Sequence, residues 1–184
     1  MKRIILCLAL AAIALPAAAE TGFQFATVNH ESPRDPNVNG ARISFLHARA
    51  QSVRGLDFGI LSLAETSRLS GVALVFGISK VDDGMTGGAS FSFVNIRSGT
   101  DSGLNAAFIN KVNTVKSGMN LGFLNIADGS TTVDLGGLNA SKASGVQLGF
   151  VNFTERIDTL QLGFINIAEN GFLPIFPFFN FPRN

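Results

Sequence analysis

Two histidines, one cysteine and a scatter of carboxylates are the residues of this 184-residue chain whose chemistry could serve a reaction or hold a metal. Asp35-Pro-Asn-Val-Asn-Gly40 opens like a calcium loop, with side-chain oxygens at loop positions one, three and five and glycine at six. The twelfth position is Leu46, where such a loop needs a bidentate glutamate, and Pro36 is a further departure, so a polar turn is expected. Asp82, Asp83 and Asp128 do not recur at the fixed offsets of a calcium-binding array. Zinc asks for three or four protein ligands; His30 and His47 would need Glu31 or Asp35, and no spacing demands that they meet. Serines abound, but no G-x-S-x-G elbow is present and no third group is placed to orient a base. The glycines never lead into Lys-Ser or Lys-Thr as a phosphate loop does. A carboxylate pair for sugar hydrolysis could only converge from distant segments. The expectation is therefore a chain without catalytic, cofactor or metal residues, and not an enzyme.

Composition narrows the class. Lys and Arg number 14, Asp and Glu 13, and the formal charge is +1. A phosphate-binding surface needs excess basic charge, so no nucleic-acid partner is expected. Charged residues make up 15% of the chain, against about 25% in an ordinary soluble domain. Trp and Tyr are absent and Phe numbers 17. The length suits one domain with its own core.

The first nineteen residues differ from the rest. Lys2 and Arg3 precede an apolar run from Ile4 to Leu15, then Pro16 and Ala17-Ala18-Ala19. This is the layout of a secretory signal peptide, with cleavage expected after Ala19. The run of 12 residues is short of the roughly 20 that a membrane helix takes. Cys7 lies inside it, so the expected mature chain, 20–184, has no cysteine and no disulfide. No later stretch reads as a membrane helix, and any integral membrane placement would have to use β-strands.

Beyond residue 20 the chain repeats itself. Gly55-Leu-Asp-Phe-Gly-Ile-Leu-Ser-Leu-Ala-Glu65 matches Thr159-Leu-Gln-Leu-Gly-Phe-Ile-Asn-Ile-Ala-Glu169. The unit reads G-[LVM]-[QN]-L-G-F-[ILV]-N-[IF]-A followed by a short polar turn. Its asparagine falls at Asn29, Asn95, Asn110, Asn125, Asn139, Asn152, Asn166 and Asn180, with His47, Ser62 and Ile78 in degenerate copies. These eleven units lie 13 to 18 residues apart. Gly59, Gly122, Gly136, Gly149 and Gly163 hold the inner glycine position. In helices those glycines would cost about 1 kcal/mol each relative to Ala. The β-branched and aromatic residues, and turns such as Asp82-Asp83-Gly84 and Ala127-Asp-Gly-Ser130, favour strands.

The predicted fold is all-β: a repetitive solenoid with coils of roughly 14–16 residues, in one domain over 20–184. Its end, 172–184, carries Pro174 and Pro177, which lack ladder donors and belong on an edge, as a cap or an aromatic strand. The alternative is an outer-membrane β-barrel or antiparallel meander with one strand per unit. In the unit Leu160–Ala168 strict alternation gives no clean face. A corner near Gly163-Phe164 would turn Leu160, Leu162, Ile165 and Ile167 inward and Gln161 and Asn166 outward, or let Asn166 cap the corner. Stacked coils would place Phe93, Phe108, Phe123, Phe150 and Phe164 in an aromatic ladder, core if inside and a surface seeking lipid or a partner if outside. The asparagines would form a polar one, expected as an internal ladder that satisfies backbone groups and fixes register in preference to a glycan-binding stripe.

The units Gly145-Val-Gln-Leu-Gly-Phe-Val-Asn152 and Thr159–Ala168 resemble those of a family of bacterial exported proteins carrying short surface repeats. The ending Phe172-Leu-Pro-Ile-Phe-Pro-Phe-Phe-Asn-Phe181 is similar to that of small proteobacterial members. The resemblance spans Gly55 to Phe181 and implies a cell-envelope or surface location, with no catalytic residues to carry over. The units at His47 and Ile78 depart from its pattern. The expected role is a non-enzymatic structural or interaction protein, exported to the outer membrane or cell surface, with the periplasm as the alternative place. Its expected partners are an envelope protein, lipid or glycan. The alternatives are a small barrel acting as channel or anchor and a calcium-dependent or glycan-binding module.

Overall fold

A unit of about fifteen residues that bends at glycine must come back over its own start. The computed structural model describes residues 20–28 and 30–183. The expected signal peptide with Cys7, and the early asparagine Asn29, lie outside the described residues. The elements are β1 (Glu20–Thr27), β2 (His30–Ser32), β3 (Asn37–Arg97), β4 (Thr100–Val112), β5 (Thr114–Ala127), β6 (Ser130–Leu148), β7 (Val151–Ala168) and β8 (Ile175–Asn180). They form one sheet in the order β2-β1-β3-β4-β5-β6-β7-β8. β3 runs for 61 residues, winding through several coils without a break. Among the described residues there is no helix.

Every pairing from β1–β3 to β6–β7 is parallel. The fold is a β-solenoid with coils of about 15 residues; a meander or barrel of the kind weighed above would need neighbours running oppositely. Equivalent residues stack: Asn95 on Asn110, Asn110 on Asn125, Asn125 on Asn139, and Asn139 on Asn152. Only the two ends reverse direction. β2 pairs antiparallel with β1, and β8 with β7.

The asparagine ladder is internal, but Gln161 and the apolar residues point the opposite way from the corner expected at Gly163-Phe164. Gln161 and Asn166 are fully buried, whereas Leu162 and Ile165 are 42% and 45% exposed and Phe164 is 63% exposed. The inside of the coil is polar and its outside apolar. Volume explains the inversion. A coil this short encloses a narrow lumen, in which flat amides fit one above the next at the 4.8 Å strand spacing and branched side chains at every position would not. Apolar residues do enter at the N-terminal end, where Val38, Val53, Leu69, Val81 and Met85 pack with Ala64, Ala73 and Val75. A smaller cluster joins Val112, Val115 and Ala127.

Two of the repeat's glycines have separate duties. One opens the unit: Gly118 has φ +143°, left-handed backbone open to glycine, and a Cβ there would strike Gly103 of the coil before. Gly40, Gly55, Gly71, Gly88 and Gly103 occupy the same place with φ between 113° and 154°. The other glycine, as at Gly163, needs no special φ; it makes room. A Cβ on Gly163 would meet the Gly149 carbonyl and lie 2.6 Å from Asn152 Nδ2 and 3.2 Å from Asn166 Oδ1. Nearer the start, Ser44 stands at this glycine's place and Ser62 at the asparagine's, and the two hydroxyls bond to each other at 2.9 Å beside Gly59.

Gly163→Val is therefore expected to lower stability by about 3 kcal/mol or more, and the melting temperature by roughly 10 °C. Circular dichroism melts check this, and an unchanged melt would contradict the close approach.

Candidate functional site

The polar interior holds two columns. In the first, each asparagine donates Nδ2 to Oδ1 of the next: Asn95 to Asn110 at 2.9 Å, Asn110 to Asn125 at 2.8 Å, Asn125 to Asn139 at 2.7 Å, then Asn152 and Asn166 at 2.8 Å each. The second amide proton is also used, donated to a backbone carbonyl of the next coil, as from Asn125 to Leu135 O at 3.0 Å and from Asn152 to Leu162 O at 2.8 Å. All six amides point one way. The donor end closes on the Phe176 carbonyl of β8 at 3.2 Å. The acceptor end, Asn95 Oδ1, receives Arg97 Nη2 and Ser90 Oγ, both at 2.8 Å. Asn180 does not join this column. Because β8 runs antiparallel, it lies opposite Gln161 instead.

Arg97 also starts the second column. Its Nε donates to Asn105 Oδ1 at 3.2 Å, Asn105 donates to Asn120 at 3.2 Å, and Asn120 donates to the Asp134 carboxylate at 2.8 Å. A buried cation and a buried carboxylate are thus joined by two amides. Each amide turns its oxygen toward the cation and its NH2 toward the anion. Thr131 and Ser144 complete the Asp134 shell by donating at 2.6 and 3.2 Å. Arg97 Nη1 donates to Ser79 O at 2.7 Å, and Asp101 lies 3.4 Å from Nε. Burial pulls the Arg97 pKa down to about 10 and pushes the carboxyls of Asp101 and Asp134 up. Farther along, the order reverses: Gln161 donates to Gln147 at 2.7 Å.

Sequence reasoning placed the asparagines and glycines on the repeat but missed Arg97, Asp101, Asn105, Asn120 and Asp134 as interior groups. It also missed the buried pair Arg42–Asp57, bidentate at 2.8 and 2.6 Å. One signal was available for part of this set: Arg42, Asp57, Asn105 and Asn120 each stand two residues after an opening glycine, and Asp134 holds the equivalent place after Thr132, whereas Arg97 and Asp101 lie elsewhere in the unit. The degenerate copies resolve differently. Ser62 is inside, whereas Ile78 is exposed and its neighbour Ser79 turns inward to hold Arg97.

The residues singled out for metal chemistry are dispersed. Asn37 accepts Ser52 Oγ at 2.7 Å, Asn39 donates to Glu20 at 3.1 Å, and the Asp35 carbonyl accepts Gln24 at 2.9 Å. His47 is half-buried, 3.1 Å from Glu65, and His30 lies on β2. Glu65 gathers Arg49 at 2.6 Å, His47 and Lys80 at 3.2 Å. These hydrogen bonds, that from Arg49 foremost, hold its carboxyl down at about 2. Among the described residues no group of three or more His, Cys, Asp or Glu converges as a metal site.

The outside is the other candidate surface. Take the six residues that begin one before the second inner column, as in Met119–Leu124, Val146–Val151 or Leu160–Ile165. In ten successive coils they carry no outward-facing charge; Arg42, Asp57 and Asp134 fall within them and point inward. Two successive outward residues, Phe164 and Ile165 for instance, mark a bend, so the phenylalanines form a convex ridge. Phe108 stacks on Phe123 at 5.3 Å and Phe150 on Phe164 at 5.6 Å, with Gly137 as the gap between the pairs. The exposed charges lie across the coil, on the turns: Lys116, Asp128, Lys142, Glu155, Arg156, Asp158 and Glu169. No helix among the described residues is long and apolar enough to cross a membrane.

Asn125→Ala strands the Asn110 donor and the Asn139 acceptor, and is expected to cost about 3 kcal/mol in denaturant unfolding. Asp134→Asn is expected to stabilise by about 1 kcal/mol at neutral pH. The raised carboxyl favours the fold below its unfolded pKa and loses that contribution as pH rises through the folded value, so the variant's advantage should shrink on acidification. Glu65 has the opposite sign: the native margin over Glu65→Gln is present above about pH 4.5 and is expected to vanish as pH falls toward about 2. Melting curves across pH read both effects. Compared with known proteins, the chain matches no family model, no curated protein and no solved structure.

Proposed function

We propose that this chain is a non-enzymatic, exported protein of the bacterial cell envelope, whose solenoid is a rigid scaffold presenting one long apolar surface. A repetitive all-β solenoid is consistent with a structural or interaction scaffold. The observation that carries the reading is the inversion of the coil. Its polar groups are spent inside on one another, and its phenylalanines, leucines and isoleucines are left outside along ten coils. At about 4.8 Å per coil the strip is roughly 45 Å long, and six residues around the bend make it larger than the 300–600 Å² patch of an ordinary monomer. Such a surface suits a partner rather than water. The layout of residues 1–19 supports export.

The test is processing and fractionation in a Gram-negative host carrying the full chain with a C-terminal tag. The mature protein is expected to begin at Glu20 by intact mass and to be recovered with the envelope. An unprocessed chain in the cytoplasmic fraction would overturn the proposal.

A further inference from the structure

The partner's nature can be read from the shape of the apolar surface, granted the envelope scaffold proposed above. The ridge follows the bend, so its two flanks face different directions, and open recesses lie between its side chains, at Phe76, Phe91 and Phe93 and again at Phe150, Phe164 and Phe178. The surface then continues around the end of the solenoid. Residues 170–182 carry no charge, and Ile175, Phe178 and Phe179 are exposed there. β8 sets Phe178 against Gly163, next to Phe164, so cap and ridge are one surface. A rigid protein face covers a flat patch or fills a groove. It cannot cover two inclined flanks and an end together. A fluid apolar phase can.

We infer that the phenylalanine ridge and the β8 cap insert into one leaflet of a lipid bilayer, with the solenoid axis parallel to the membrane plane. The orientation follows from charge. The charged turns run the whole length of the solenoid opposite the ridge, from Arg49 and Glu65 near the start to Glu169 at the end. An axis along the membrane normal would drag that row through the hydrocarbon, where each charge is costly. An axis in the plane leaves every exposed charge at the headgroups or in water. The interior needs nothing from the lipid, since its amides are already paired. The protein thus lies on the membrane without spanning it.

The experiment uses vesicles of phosphatidylethanolamine and phosphatidylglycerol and the chain purified without detergent. Flotation is expected to carry the native protein with the vesicles. Phe108→Glu and Phe164→Glu, on exposed positions that leave the fold intact by circular dichroism, are each expected to reduce binding about tenfold or more. On the processed chain beginning at Glu20, which carries no cysteine of its own, an environment-sensitive dye on Phe164→Cys should shift to the blue on adding vesicles, and the same dye on Lys116→Cys should not. A native chain that stays at the bottom of the gradient, ridge variants that float like the native chain, or equal dye shifts at both positions would each overturn the inference. So would a stable dimer in detergent-free sedimentation that shields the residue 164 dye from vesicles, which would assign the ridge to a second copy. Correct processing at Glu20 with no vesicle binding would defeat this inference alone and leave the envelope reading standing.

Discussion

One hydrogen bond, repeated, organises this molecule: a side-chain amide donating to the amide directly above it. Its geometry requires neighbouring coils to stand one strand spacing apart, in register and in parallel. An asparagine out of register would leave a buried donor and acceptor unpaired, at about 1–3 kcal/mol each. From Gly122 to Gly163 the residue three places before the column asparagine is a glycine that leaves room for the amides, as Gly122 does for Asn110 and Asn125. The interior amides therefore dictate both the backbone bend and what is left for the exterior.

Arg97 is where the two columns meet. Aligned amides accumulate a dipole, much as aligned peptides do in a helix, and the oxygen end of the first column needs a positive group. Arg97 fills that role, and through Asn105 and Asn120 it is also connected to Asp134. Burying a lone guanidinium would be prohibitive. Here every one of its N–H groups is directed at an oxygen, and its charge closes one ladder while opening another. Before Arg97 the lumen holds Val, Leu and Met beside the Arg42–Asp57 pair and single hydroxyls, and after it continuous columns of amides dominate. The change of lining coincides with the change in the repeat from degenerate copies to regular ones.

The solenoid was legible because period, turn residues and glycines all agreed on a coil. Which face was interior was not legible from hydropathy, for a physical reason. Alternation says which residues share a side and is silent about which side is enclosed, and the usual assumption that apolar means inside fails where stacked amides occupy the interior places. Variation among the units held the missing signal. Asn recurs at one place from Asn95 to Asn166, while its outward neighbour varies among Val94, Ile109, Leu124, Leu138, Val151 and Ile165. Stacked interior groups must match one another; outward ones need only be apolar. Arg97 was hidden because it stands at an ordinary position of the unit, where other copies place Val112, Ala127 or Ser141. Ile78 misled because a one-residue slip hands the inward place to Ser79.

The reversed strands at the two ends have a consequence of their own. A stack of identical parallel layers contains no instruction to stop: its last layer presents the same hydrogen-bonding template as every layer below, to another molecule as readily as to its own chain. β2 and β8 withdraw that template by laying a strand of opposite sense across each terminus, and Pro177 removes a donor from the outermost one. The molecule has in this way a counted number of layers. What could have been an open-ended fibre is a particle of fixed length.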